Sequence, residues 1–278
     1  MGKSFRSVKN GVSLSTNSKN QDSPIAKQTR AQAQSGEQRF SVRSGYAYEL
    51  GNTDTFKRIT ELEIAIGPNP LEGLEKKKLY FALKRVADIA FSVIFFILFW
   101  WLYVLVAILV KIDDPKGPVL FKQTRIGKDG KPFKMYKFRS MCVDAEQRLG
   151  ELKDLNEKTG PVFKIADDPR ITKVGRWLRK LSLDELPQFF NVLKGDISIV
   201  GPRPALPNEV ATYTPYQRQR LAVKPGITCY WQTRRNRDSI TFEEWVDLDL
   251  LYIKNCNVWA DIKLIIQTVG VVMTAQGS

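Results

Sequence analysis

Residues 89–110 read IAFSVIFFILFWWLYVLVAILV, 22 positions without a charge. At ~1.5 Å per residue such a helix reaches across a ~30 Å hydrocarbon core. Hydropathy by itself predicts a plain spanning helix. The flanks argue otherwise. Lys84 and Arg85 precede the run, and Lys111, Lys116, Lys122, Arg125 and Lys128 follow it. A spanning helix puts one basic flank on the outer side, against the positive-inside tendency. A bent, re-entrant segment keeps both on one side. Bending inside lipid usually takes Pro, Gly or Ser at the break, because freed backbone groups need local partners. None stands mid-segment. The centre is Trp100-Trp101, and Trp favours the interface over the bilayer midpoint. Both topologies stay open, with membrane embedding assigned to residues 81–113.

The surroundings divide by composition. Residues 1–54 are rich in Ser, Gln, Asn, Lys and Arg. They hold too little apolar surface to offset ordering entropy and read as a disordered basic tail. No apolar run follows the N-terminal charges, so no secretory signal is expected there. Residues 55–80 form a mildly helical lead-in, interrupted at Gly67-Pro68-Asn69-Pro70. Residues 114–278 make up the remaining domain. Across the 278 residues the formal charge is +14 and the pI about 9.6, which favours anionic partners. Histidine is absent. That removes Ser-His and Cys-His triads and argues against zinc. Cys142, Cys229 and Cys256 lack a metal-ligand spacing and read as reduced, small core residues.

After the apolar run, VLFKQTRI and PFKMYKF flank Lys128-Asp129-Gly130-Lys131, which predicts a β-hairpin. Asp144–Lys158 reads as a polar helix and Asp167-Asp168-Pro169 as a turn. Helices are expected over 175–180 and 186–193, and Gly201-Pro202-Arg203-Pro204 as a rigid loop. Tyr213–Val223 reads as helix, stopped by Pro225-Gly226. Thr241–Met273 is helical, with an apolar stripe of Trp259, Ile262, Ile265, Ile266 and Val269 that reads first as core. A helix lying in the headgroup layer is the second reading of that stripe. The fold expected is α+β and predominantly helical.

Between the two central helices stands Ser182-Leu183-Asp184-Glu185. Its S-x-x-E spacing is that of a capping box, a purely structural reading. The same helix N-terminus suits phosphate and keeps a neighbouring carboxylate ionised. Arg170, Lys173, Arg176 and Arg179 precede the pair, and Arg203 follows. Adjacent carboxylates do not flank a sugar from opposite faces, which takes about 5 Å or more between them. They can share a divalent cation, or act as nucleophile and metal ligand. Phosphoryl transfer needs that combination with arginines on the phosphate oxygens.

The ordered run KRVADI…GPVLFKQTRIGKDGKPFKMYKFRSM…DDPRITKVGRWLRKLSLDELPQFFNVLKGDISIVGPRP…KPGIT…WQ resembles the bacterial sugar transferases called monotopic phosphoglycosyl transferases, over about residues 80–272. The resemblance implies transfer of a sugar-1-phosphate from a UDP-sugar to polyprenyl (undecaprenyl) phosphate with release of UMP. It places that step at the cytoplasmic face of the bacterial membrane, as the first membrane step of capsule, exopolysaccharide or glycoconjugate synthesis. It also implies that 114–278 is the catalytic domain, with interfacial helices, and that the membrane helix is re-entrant. Asp184 matches the family's nucleophile and Glu185 its Mg²⁺-associated partner. Both are assigned to the metal. Arg203 matches the phosphate-holding Arg of the Pro-Arg-Pro loop. Arg179, Lys137 and Arg139 are further anion contacts.

Two departures stand out. Relatives carry Ser-Pro where this chain has Trp100-Trp101. They also carry Gly and Arg where it has Cys229 and Asn236, so Arg235 or Arg237 is left to supply that contact. Asp249 is a further candidate contributor. Two other classes predict different outcomes. A non-catalytic lipid-binding scaffold forms no UMP, and a conventional glycosyl transferase releases UDP. Nucleic acid is not an expected partner, because no recognition motif accompanies the basic stretches.

Overall fold

The computed structural model describes residue 62 and residues 65–157, 160–165, 167–234 and 240–274. The expected tail 1–54, part of the lead-in, Arg235 and Arg237 lie outside these residues.

A 3-10 turn at Leu74–Lys77 leads into α1 (Lys78–Asp113), a helix of 36 residues that passes through Trp100-Trp101 uninterrupted. At ~1.5 Å per residue it is roughly 54 Å long. Among the described residues it is the one helix long and apolar enough to cross a membrane. Most of its girth is exposed apolar surface, including Ile94, Ile97, Trp100, Trp101 and Ile108. One stripe at helical spacing is covered: Asp88, Ser92, Phe95, Tyr103, Val106 and Val110. Val106 and Val110 join Phe138, Leu178 and Leu186 in a satellite core. Phe95 stacks on Phe189 with ring centres 4.2 Å apart.

β1 (Leu120–Ile126) and β2 (Pro132–Phe138) form the expected antiparallel hairpin, with Leu120 opposite Phe138 and Ile126 opposite Pro132. Asp129 (φ 56°) and Gly130 (φ 76°) take the left-handed conformations that a tight hairpin turn requires. The chain then crosses a 3-10 segment at Gln147–Leu155, not the α-helix expected over 144–158. Helices α2 (Lys173–Lys180) and α3 (Gln188–Lys194) bracket the acidic pair.

A second sheet escaped the sequence reading. β3 (Ser198–Val200) pairs in parallel with β4 (Gly226–Thr228), and both strands are only three residues long. Such short strands carry no period-2 signal. They lie so close that a Cβ on Gly226 would sit 2.1 Å from Gly201 N. That approach fixes the start of the Pro202-Arg203-Pro204 loop, whose next residue, Ala205, accepts a hydrogen bond from Ile126 N at 2.9 Å.

The segment expected as one helix over 213–223 is α5 (Pro215–Arg218) followed by a 3-10 turn at Gln219–Ala222, after the short α4 (Pro207–Ala211). The last expected helix is two, α6 (Phe242–Asn255) and α7 (Val258–Met273), with Asn257 capping the second through Ala260 N. The main core gathers Leu248, Leu250 and Ile253 of α6 with Val192, Ile197, Val200 and Leu264. α7 corrects the first reading of its stripe. Trp259, Ile262, Ile266 and Val269 face outward, Ile265 alone of the stripe packs against the core, and only Leu264 is fully buried among the helix's apolar residues.

Candidate active site

Alternation along β2 sends Met135 and Lys137 into a cavity and Phe138 against α1. Facing that strand is the turn that carries Asp184 and Glu185. The capping box expected of Ser182 does not form. Ser182 is left-handed (φ 55°), makes no side-chain cap, and donates its N–H to Arg179 O at 3.0 Å as α2 ends. Leu183–Glu185 is a single 3-10 turn, and α3 starts only at Gln188. Leu183 and Leu186 point into the satellite core beside α1. The carboxylates between them are thereby left to the cavity.

The Tyr103 hydroxyl of α1 donates to Leu186 O at 2.8 Å, tying the acidic turn to the apolar helix. Tyr103→Phe removes this bond alone. Leu186 O keeps its bond from Phe189 N at 3.1 Å, so the acceptor is not orphaned. The expected loss is about 1 kcal/mol of stability, read as a lowered denaturation midpoint.

The cavity holds about 320 Å³. Asp184, Glu185, Lys137, Arg179 and Arg203 all line it, as do Arg125, Lys164 and the Asp168–Arg170 pair. Lys137 Nζ sits 2.9 Å from Glu185 Oε1. Arg179 Nε donates to Ser140 Oγ at 3.1 Å. Arg203 lies over the Trp245 ring at 5.5 Å, held from behind by buried Glu209 at 3.2 Å. Arg125 donates to Pro204 O at 3.0 Å, so β1 and the Pro-Arg-Pro loop share one wall. Burial, and then the nearby Arg203 charge, lower the Arg125 guanidinium to about 10.

Asp184 is 7% exposed. Burial pushes its carboxyl upward, and Glu185 adds to this against the opposing pull of Lys137 and Arg179. The helix-terminus argument for an ionised carboxylate therefore loses to desolvation, because the pair precedes α3 instead of opening it.

Two candidates lie elsewhere. Arg139 is buried against the end of α1, with Nη2 bonded to Asp114 O at 3.0 Å and paired with its carboxylate at 3.3 Å. Asp249 is fully buried in α6 and paired with Arg220, away from the cavity lining. Arg235 and Arg237 fall outside the described residues.

The sequence reading missed Arg125, Lys164, Trp231, Gln232 and Trp245, all of which line the cavity. Strand alternation, which puts Arg125 of β1 on the same face as Lys137 of β2, could have flagged Arg125. Trp231 and Trp245 stack at 4.3 Å from segments 14 positions apart, a contact no local pattern announces.

Among the described residues no three Asp, Glu or Cys side chains gather as a metal cage. Asp184 and Glu185 are the pair on offer at the turn. Mg²⁺ is commonly held by one or two carboxylates together with substrate phosphates and waters. The donor set fits an ion of that kind, brought in with a phosphorylated substrate.

A family model described as bacterial sugar transferase matches residues 79–275. The chain is 49% identical over 168 residues to the galactosyl transferase CpsE of Streptococcus agalactiae serotype III (strain NEM316), covering 60% of this chain and 37% of that protein. It is 41% identical over 210 residues to the UDP-glucose:undecaprenyl-phosphate glucose-1-phosphate transferase of Escherichia coli (strain K12), covering 72% and 41%. The uncharacterized sugar transferase EpsL of Bacillus subtilis (strain 168) is 41% identical over 195 residues, covering 70% of this chain and 89% of its own length. The chain thus spans less than half of the first two relatives and nearly all of the third.

Proposed function

Because the chain belongs to the bacterial sugar transferase family, we propose that it transfers a sugar-1-phosphate from a UDP-sugar to polyprenyl phosphate and releases UMP. Relatives named as undecaprenyl-phosphate sugar phosphotransferases support the two substrates. The observation that carries the reading is the acidic turn itself. Asp184 and Glu185 line a cavity with Lys137, Arg179 and Arg203, and the same turn is bonded to the apolar helix through Tyr103. A donor diphosphate and a lipid-borne phosphate can meet there.

In the first step a carboxylate oxygen of Asp184 attacks the β-phosphorus of the UDP-sugar. The bond from that phosphorus to the oxygen bridging the α-phosphate breaks, and UMP departs with the electron pair. The product on the protein is a mixed carboxylate–phosphate anhydride carrying the sugar. In the second step an oxygen of the polyprenyl phosphate attacks the same phosphorus, and the Asp184 carboxylate leaves. A lipid diphosphosugar forms and Asp184 is restored. Covalent catalysis of this kind replaces one hard displacement by two easier ones.

Arg179 and Arg203 orient the phosphates and offset charge on the equatorial oxygens. Lys137 holds Glu185 at 2.9 Å and so fixes one edge of the acidic pair. Mg²⁺ bound by Asp184, Glu185 and the donor diphosphate would supply the positive charge that burial otherwise denies an ionised Asp184.

The location follows from the acceptor, whose phosphate stays at the headgroup level. We assign the protein to the bacterial cytoplasmic membrane with this cavity on the cytoplasmic face. The covered stripe on α1 favours shallow, single-sided embedding. The rest of the domain packs along that helix from Asp88 to Val110, so a perpendicular span would drag polar partners into hydrocarbon. The outward stripe of α7 suits a headgroup-level seat beside it.

Incubating the full chain with a panel of UDP-sugars and Mg²⁺, without acceptor, tests the reading. One equivalent of UMP and an intact-mass increase of one phosphosugar are expected for the true donor. EDTA should lower UMP formation at least ~10-fold, with recovery on adding Mg²⁺. Release of UDP would indicate a conventional glycosyl transferase. Neither nucleotide, together with retained liposome binding, would indicate a scaffold.

A further inference from the structure

A second cavity, of about 620 Å³, shares no lining residue with the Asp184 cavity. It is enclosed by the start of α1, the 3-10 turn before it, β3, the 222–224 segment and the tip of the hairpin. Leu71, Leu74, Glu75 and Lys78 line it and precede residue 79, where the family match begins. This chamber is therefore completed by a segment outside the matched region.

Its chemistry is divided. Leu71, Leu74, Phe81, Val200 and Val223 give an apolar wall, while five cationic side chains and only two carboxylates border the same space. The balance is more positive than it looks on one side and less on another. Lys84 is neutralised by Asp261 at 2.6 Å. Asp88 is turned to β3, where its Oδ1 accepts from Ser198 Oγ and Ile199 N, each at 3.1 Å. Glu75 and Lys78 sit exposed at the rim.

Arg85 and Lys224 form no ion pair among the described residues. Among the described residues Arg85 donates to the carbonyls of Val192 and Leu193 alone, at the C-terminal end of α3. Lys224 has no hydrogen-bond or ion-pair partner among the described residues. A Cβ on Gly195 would lie 3.3 Å from both Arg85 Nη2 and Lys224 Nζ, so the two cationic heads flank the same small volume. Burial, and then the Arg85 charge, push the Lys224 ammonium downward, against the weaker opposing pull of Asp88 and Asp196. Lys128 adds a third charge from the hairpin tip. The cationic side chains thus outnumber the carboxylates at this end of the cavity, beside the apolar wall. The opposite face of the same two turns of α1 exposes Leu79, Leu83 and Val86, an apolar surface at the level of the cavity. The basic stretch 1–54 carries the wrong charge to fill the cavity.

We propose that this cavity binds an anionic bilayer phospholipid, with Arg85, Lys224 and Lys128 around the headgroup phosphate and Leu74, Phe81 and Val223 against the first methylenes of a chain. The volume falls within the ~300–1,000 Å³ usual for small-ligand sites. The inference does not rest on the sugar-transfer reading, since the two cavities are separate.

Native mass spectrometry of the full chain in micelles doped with phosphatidylglycerol, phosphatidylcholine or polyprenyl phosphate tests it. One phosphatidylglycerol should be retained in preference to phosphatidylcholine by about 10-fold or more, as charges of this number near a headgroup imply. The double variant Lys128→Glu/Lys224→Glu should lose that preference, and Asp184→Asn should keep it. Leu74→Trp, which fills the cavity without changing charge, should also lose the bound lipid. Melting curves identify any variant that fails to fold. Lys224→Gln, the mildest change, then replaces it and should weaken retention. Equal retention of the two phospholipids, unchanged retention in the variants, or selective retention of polyprenyl phosphate in place of phosphatidylglycerol would overturn the assignment.

Discussion

Asp184→Asn is expected to reduce UMP formation by at least ~10³-fold and to leave no phosphosugar adduct on the protein. An amide oxygen is a poor nucleophile, and Asn cannot form the carboxylate–phosphate anhydride on which the second step depends. The substitution is close in size, and the turn should keep its form. Ser182 N bonds to Arg179 O and Glu185 N to Ser182 O, and neither bond uses the Asp184 side chain. A melting midpoint near that of the parent chain is therefore expected alongside the lost activity. Glu185→Gln should behave differently. It keeps the Asp184 carboxylate and removes the charge that pairs with Lys137 and that the proposed Mg²⁺ would use. A smaller loss of about 10²-fold is expected, partly recovered at high Mg²⁺. Turnover by Asp184→Asn at the parental rate would remove the covalent mechanism, whatever happened at Glu185.

What could be read in the sequence was local and strongly patterned. The charge-free run 89–110 shows its nature by composition, and Asp129-Gly130 announces its turn because few other pairs accept two left-handed residues. Lys137 was found through the family resemblance, on the YKFRSM motif. The failures have a common cause, which is that tertiary contact decided them. Ser182 had the right spacing for a cap, yet Leu183 and Leu186 both bury beside α1 and turn the backbone out of helical register at that point. Arg139 has the same chemistry as Arg179. Gly117 leaves room for its guanidinium at the end of α1, where Asp114 captures it. The β3–β4 pair depends on two glycines meeting across 25 positions of sequence, a coincidence visible only once the chain has folded. The outward stripe of α7 has the same periodicity as a core stripe, and nothing within the helix distinguishes protein from lipid as its cover.

Asp249 shows how a site candidate becomes a stability element, and it carries the largest expected effect on folding. Its carboxylate and the Arg220 guanidinium are both essentially excluded from water and are bonded to one another, with Tyr213 Oη accepting a second bond from Arg220 at 3.0 Å. Burial raises the Asp249 carboxyl while Arg220 pulls it back, so the pair exists as ions only by mutual support. Removing one member leaves the other charged and dry. Asp249→Ala is expected to cost ~3–5 kcal/mol, a fall of roughly 6–20 °C in melting midpoint for a domain of this size. The double variant Arg220→Met/Asp249→Leu replaces both ions by apolar groups of similar bulk and should recover most of the loss, because the desolvation penalty goes with the charges. Tyr213 packs against Phe242 and lies near Glu209, which holds Arg203 at the Asp184 cavity. Any activity lost in Asp249→Ala should therefore return with stability in the double variant. A double variant that is stable yet inactive would instead place Asp249 or Arg220 in the chemistry, and a single variant that melts like the parent would mean the pair is not holding the fold.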